Sequence, residues 1–248
     1  MFSESHCHLR RLSDDAIEKA ESAGVVLVLT AGIDVASSEL AVQTARKYSI
    51  VKACVGIHPW NADQYSEDAI RRLRELAADA EVVAVSEIGL DYVGRRNSEG
   101  RYVEQYIDKG IQRTAFREQL RMGRELGLPV IVHDRTPDQE VLDIIGEEGS
   151  AEPGAAIHGF SKDAAYAERC LDMGIYLSLG SRTISAPGNE ALMEVVRETP
   201  LEWLLTETDS GSPEGVLIIA EKIAELKGLT RDEVGRATTR NLRKLTGL

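Results

Sequence analysis

Cysteine, aromatic and basic residues are all scarce in this chain of 248 residues. Its three cysteines, Cys7, Cys54 and Cys170, are too few and too scattered for a disulfide framework or a C-x-x-C zinc site, and they fit a reducing, cytoplasmic compartment. Lys and Arg total 29 against 41 Asp and Glu, a formal charge of −12. That balance excludes a basic protein that coats nucleic acid by displacing its counterions, though not an enzyme with a locally positive site. The 7 Tyr and 2 Trp are dispersed, so no platform for stacking successive bases is visible. Apolar runs such as Val25–Leu29 fall far short of the ~20 residues that span a bilayer, so no membrane role is expected. The opening MFSESHCHLRR lacks a basic segment followed by an apolar stretch and does not read as a signal peptide. No G-x-G-x-x-G or Walker loop occurs, and no repeat, low-complexity tract or Pro/Ser linker divides the chain. A single domain over residues 1–248 is expected, long enough to bury roughly 70–75% of its unfolded surface.

What is present is an alternation of short apolar runs with longer amphipathic stretches. Strands are expected at Ser5–Leu9, Val25–Thr30, Val51–Ile57, Val82–Ile88, Pro129–His133, Ala155–His158, Ile175–Leu179 and Trp203–Thr206. Most are rich in Val, Ile and Leu on both faces, the pattern of parallel strands covered on both sides. Helical spacing marks Ser66–Asp79, Ala115–Leu126, Asp138–Ile145, Lys162–Met173, Asn189–Arg197 and Val216–Leu226. A further helix opens with Thr230 and Glu233 at capping-box spacing. Eight strand–helix units predict an α/β fold, a (β/α)8 TIM barrel with an extra C-terminal helix. An open doubly wound sheet gives the same alternation and is the rival. The one long polar interruption is Tyr92–Gly110, and loops of that length are usually functional.

The five histidines all fall in, or at the C-terminal end of, an expected strand. His6 and His8 are two residues apart in the first, so both imidazoles share a face and Cys7 takes the other. His58 follows the third strand, His133 ends the fifth and His158 ends the sixth. In an α/β barrel these ends converge on one mouth, where active sites are built. The same ends carry Glu87, a charge within an apolar strand, and Asp209, just after the eighth. Taken singly, each has an ordinary explanation: a half-buried polar pair, a buried ion pair, a helix cap. Together they point to a metal site, with mixed imidazole and carboxylate ligands suiting zinc, manganese, iron or nickel better than calcium and leaving magnesium open. Asp91, Asp134 and Glu207 are nearby acids with weaker claims, and the strand alternation turns Glu207 toward the helix layer. Trp60 is the one aromatic expected at the mouth.

Through SHCHL, GIHPW, SEIGLDY, LPVIVHDR, IHGFSKD, YLSLG, TETDS and RNLRKL, the sequence resembles the TatD-like metal-dependent deoxyribonucleases, a branch of the amidohydrolase-type barrels. The resemblance covers essentially the whole chain in order. It implies that His6 and His8 bind one metal, that Glu87 bridges two, that His133 and His158 hold the second, and that Asp209 completes the first site and acts near the nucleophilic water. It implies that His58 contacts substrate phosphate. The chain departs from the family pattern at Gly159 and Lys162 (where H-C-F-S-G is frequent), at Asp134 (usually small) and in the lengthened turn Asp209–Pro213. These changes spare the ligands and touch the substrate pocket.

The chemistry so implied is hydrolysis with two divalent ions, magnesium, manganese or zinc, about 3.5–4 Å apart and sharing an activated water, with Glu87 and Asp209 as the catalytic carboxylates. Arginines near the same loops, Arg95, Arg96, Arg101, Arg135 and Arg182, match phosphate as guanidinium forks; Arg135 joins His58 as a candidate substrate contact. The leading expectation is a deoxyribonuclease acting on single-stranded or frayed DNA ends as an exonuclease, with no stable protein partner implied. A hydrolase of another ester or amide and a non-catalytic barrel scaffold are the alternatives.

Overall fold

The computed structural model describes residues 1–9, 14–94, 106–184 and 188–248. Eight parallel strands pair in chain order: β1 (Phe2–Cys7), β2 (Val25–Ala31), β3 (Val51–Val55), β4 (Val82–Asp91), β5 (Val130–Arg135), β6 (Ala155–His158), β7 (Ile175–Gly180) and β8 (Leu204–Glu207). The expected eight strands are all present, within a few residues of the expected bounds. Every residue of β4 is buried, as a strand covered on both faces requires. The surrounding helices are α1 (Asp14–Ser22), α2 (Val35–Lys47), α3 (Glu67–Ala77), α4 (Lys109–Leu126), α5 (Glu140–Glu147), α6 (Ala164–Asp172), α7 (Ser181–Ile184), α8 (Glu190–Glu198), α9 (Val216–Lys227) and α10 (Arg231–Thr246).

Helix ends follow local chemistry. Thr230 and Glu233 form the expected capping box at α10, and Ser66 caps α3. A second capping box, Asp34 with Ser37, starts α2, a helix not among those expected. Helix α4 begins ahead of the expected Ala115 because Asp108 Oδ1 accepts the amides of Gly110 and Ile111. The end of the long polar interruption is therefore a helix start, while residues 95–105 lie outside those described.

The sheet curls until β1 meets β8. Across that seam, the Ser5 hydroxyl donates to Thr206 O (3.0 Å) and the Thr206 hydroxyl donates to Ser3 O (2.8 Å). At the C-terminal end the amide of Asp209 donates to His6 O (3.1 Å) and that of His8 to Ser210 O (2.9 Å), so the chain after β8 is laced to the end of β1. The opposite end of the barrel is covered by α10. Its Leu242 and Leu245 pack with Leu29, Ile131, Ala156 and Leu205, and Asn241 donates to the carbonyls of Leu201 and Leu204. A Cβ on Gly235 would stand 2.5 Å from the Phe2 ring, so only glycine lets α10 lie this close to β1. Leu242 is fully buried, and Leu242→Ala is expected to lower unfolding free energy by about 2–5 kcal/mol. Urea denaturation followed by circular dichroism measures the shift; an unchanged midpoint would show that α10 is not part of the cooperative core.

Candidate metal centre

At the C-terminal ends of the strands, one buried carboxylate is ringed by imidazoles. Glu87 Oε1 lies 2.8 Å from His133 Nδ1, 2.8 Å from His158 Nε2 and 3.2 Å from His58 Nε2. Its Oε2 lies 3.4 Å from both His6 Nε2 and His8 Nε2. Asp209 Oδ1 stands 3.4 Å from His8 Nε2 on the open side. All six residues expected to ligate metal are thus gathered in one place, and His58 is with them. His6 and His8 share a face with ring centroids 4.9 Å apart, whereas Cys7 points into the core and donates to Leu29 O.

The second nitrogen of each ring decides what the first can do, because a neutral imidazole carries one proton. His8 Nδ1 faces Ala31 O at 3.0 Å, so its proton belongs there and the Nε2 lone pair faces the acids. His133 Nε2 sits 3.0 Å from Asp91 Oδ2, leaving Nδ1 as the inward lone pair. His158 Nδ1 lies 3.3 Å from Glu207 Oε1, leaving Nε2 inward. Such acceptor–histidine pairs are how proteins orient metal-binding imidazoles. His58 is set the other way. Its Nδ1 accepts the Trp60 amide at 2.9 Å, so its proton is on Nε2 and it is a hydrogen-bond donor to the site. The trio His58, Glu87 and His133 is close enough to share an ion, as is His6, His8 and Glu87, but this proton argues against His58 as a ligand.

His6 supplies the clearest sign that something is to be bound. It is fully buried, yet neither ring nitrogen has a hydrogen-bond partner. A buried polar atom without a partner is costly, and a cation at Nε2 removes the cost. The donor set therefore fits divalent cations.

Two supporting acids were underweighted in the sequence. Asp91 holds His133 and also accepts from Trp60 Nε1 at 2.8 Å. Glu207, expected to face the helix layer, instead lies buried across the ends of β6 and β7. There it accepts the Gly159 amide at 2.7 Å and the Ser178 hydroxyl at 2.5 Å. Missing side chains make that path possible: a Cβ on Gly180 would come within 3.2 Å of Glu207 Oε1. The glycines at the ends of β6 and β7 were the available signal. Asp209 is the one non-glycine residue with positive φ among those described, at 49°, a conformation Asp tolerates better than most.

Electrostatics follows the packing. Burial opposes the charge on Glu87, but the His58, His158 and His6 rings overcome it and hold the carboxyl well below its ordinary value. Asp209 is likewise lowered: burial opposes this, and the His8 contact prevails. Burial alone would lower His8 and His158, yet their carboxylate neighbours push each up to about 10. Burial lowers His58 to about 4, so it is neutral near pH 7.

The remaining candidates divide. Arg182 reaches the cluster, 3.1 Å from Asp209 Oδ2, and lines the same cavity of about 310 Å³ as Trp60, Leu9, Ile33 and Leu40. Arg135 does not: its Nη1 donates to Asp134 O and Gly159 O, and it borders a neighbouring cavity. Arg95, Arg96 and Arg101 lie outside the described residues. Asp134 turns away from the centre and binds the Thr136 amide, the Tyr166 hydroxyl and Lys162 Nζ. Two departures from the expected motifs, Asp134 and Lys162, are therefore partners of each other. Cys54 and Cys170 are buried and unpaired.

A TIM barrel whose strand ends gather these imidazoles and acids is the framework of a metal-dependent hydrolase. The chain belongs to the TatD related DNase family, whose model matches residues 4–247. It is 31% identical over 262 residues to the uncharacterized metal-dependent hydrolase YabD of Bacillus subtilis, covering 99% of this chain and 98% of that one. It is 32% identical over 197 residues to the 3'-5' ssDNA/RNA exonuclease TatD of Cronobacter turicensis, covering 79% and 71%. Among solved structures, the TatD homolog YjjV of Escherichia coli superposes with a TM-score of 0.86 at 26% identity, covering 100% of this chain and 98% of that one.

A metal ion taken up by His8 and His158 would have to displace the protons these rings carry below about pH 10. Metal binding to chelator-treated protein at neutral pH is therefore expected to release protons and to tighten as pH rises. Calorimetry in buffers of different ionisation enthalpy measures the release, and buffer-independent heats would contradict it. The sign for stability is opposite. Both groups sit above the ordinary 6.5, so the stability they lend the metal-stripped fold is whole below 6.5 and is lost as pH rises through about 10.

Proposed function

We propose that the protein is a phosphodiesterase that removes nucleotides from the ends of single-stranded or frayed DNA. The observation that carries the reading is the set of inward-facing ring nitrogens of His8, His133 and His158, each ring oriented by an acceptor behind it, around Glu87. In this reading, His6, His8 and Asp209 would hold one divalent ion, His133 and His158 would hold a second, and Glu87 would contribute its carboxylate to both. The bound ions, of magnesium, manganese or zinc type, would supply Lewis-acid activation of water and neutralise charge on a phosphoryl group.

The protein's own groups complete the task. His58, neutral and protonated on Nε2, donates a hydrogen bond to a phosphoryl oxygen. Asp209 stays ionised at neutral pH and stands on the open side of the cluster, where it orients the attacking water and takes its proton. Arg182, highly exposed and paired with Asp209, can turn to the phosphate when Asp209 is engaged. The cavity beside the cluster has an apolar flank of Leu9, Ile33 and Leu40. It accommodates the base and sugar of an unpaired end, whereas a duplex does not fit a recess of this size. The exonuclease name borne by the Cronobacter relative supports the same substrate class.

The test is nucleotide release from single-stranded DNA with added magnesium or manganese. Glu87→Ala and Asp209→Asn are each expected to lower the rate by at least about 100-fold. Rates equal to wild type in either variant would sink the reading.

A further inference from the structure

A second cavity, of about 420 Å³, lies over the C-terminal ends of β4 and β5, next to the metal centre. Tyr92 and Pro137 form its walls, and Lys109, Arg135 and Lys162 bring three cations to it against a single acid, Asp134. That acid is already committed. It is buried, it accepts from Thr136 and Tyr166, and its one ion pair is with Lys162. Lys162 in turn donates to Thr136 O at 2.5 Å.

Arg135 and Lys109 are different. Most of the described arginines are matched to acids, among them Arg72 to Glu39, Arg113 to Glu140, Arg121 to Glu148 and Arg169 to Asp143. Neither Arg135 nor Lys109 has a carboxylate within ion-pair distance among the described residues; Glu140, whose carboxyl feels the Lys109 charge, is paired with Arg113. Each is nevertheless held in place. Two carbonyls, Asp134 O and Gly159 O, fix one arm of the Arg135 guanidinium, and the Lys109 ammonium sits 4.2 Å from the centre of the Tyr92 ring. Gly159 makes room for the other arm, since a Cβ there would stand 2.5 Å from Arg135 Nη2. Positioned cations with no carboxylate in contact form an anion site, and a guanidinium edge matches phosphate oxygens.

Location gives the site its meaning. Arg135 is two residues beyond His133 on β5, about 7 Å along the strand, and pairs across the sheet with Asp91, the acid that holds His133. The cavity therefore begins about one nucleotide unit from the metal centre. We propose that it is a second phosphate subsite, in which Arg135 and Lys109 hold the backbone phosphate next to the one being cleaved. The subsite rests on the nuclease reading above and adds to it a preference for a strand over a single diester.

The test uses Lys109→Glu and Arg135→Gln beside wild type. The binding probe is a short fluorescein-labelled oligothymidylate with phosphorothioate linkages, which resists cleavage, followed by anisotropy in magnesium at several salt concentrations. Each variant is expected to bind roughly tenfold more weakly. The slope of log affinity against log salt should flatten by about 0.7 per lost phosphate contact. The ratio of kcat/KM for an unmodified oligothymidylate to that for bis(p-nitrophenyl) phosphate should fall by a similar factor. Wild-type affinity and slope in both variants would overturn the subsite while leaving the nuclease reading intact. Equal loss of turnover on both substrates would also overturn it, by making these residues supports of the metal centre. If wild type cleaves neither substrate but binds the probe through Lys109 and Arg135, the nuclease reading fails and the subsite survives.

Discussion

A carboxylate buried at the end of β4 must be compensated, and the whole C-terminal face of the barrel is arranged around that requirement. Glu87 has five imidazoles about it and, among the described residues, no lysine or arginine in contact. An arginine would neutralise it permanently. Imidazoles instead offer a compensation that can be exchanged, since they either carry protons or lend lone pairs to a cation. The choice propagates outward. Each lending ring needs an acceptor on its far side, and Ala31 O, Asp91 and Glu207 provide them. Glu207 needs a path to His158, which the bare backbones of Gly159 and Gly180 open.

The strands and the histidines were legible in the sequence because both signals are local. Burial on two faces forces continuous apolar runs, and the fold order places every run's end at one mouth. What escaped was lateral. Glu207 reaches sideways across two neighbouring strands, so the alternation along β8, which turns it outward, gives the wrong answer for its carboxylate. Asp134 and Lys162 read as separate departures from a motif and turn out to be an ion pair between adjacent strand ends. Arg135 and Arg182 look equivalent as basic residues after strands, yet only Arg182 lines the metal cavity. The start of α4 was hidden because Asp108 caps it from within a polar stretch with no apolar period.

The charge of −12 also reads differently with positions attached. Most of the arginine is consumed in pairs on the helix surfaces, where exposed pairs contribute little stability and mainly hold the field even. Near the end of the barrel where the histidines converge, Arg135 and Lys109 are held by carbonyls and by a tyrosine ring, with no carboxylate in contact among the described residues.

The helix packed across the far end of the barrel has a kinetic consequence. With Leu242 and Leu245 packed across that side, the cavity that holds the histidine cluster opens at the C-terminal ends of the strands. Whatever is released must leave by the route through which the next molecule arrives. If the substrate is a strand end, as proposed, departure of the small fragment and retreat of the remaining strand would compete for the same opening, coupling turnover to traffic as well as to chemistry.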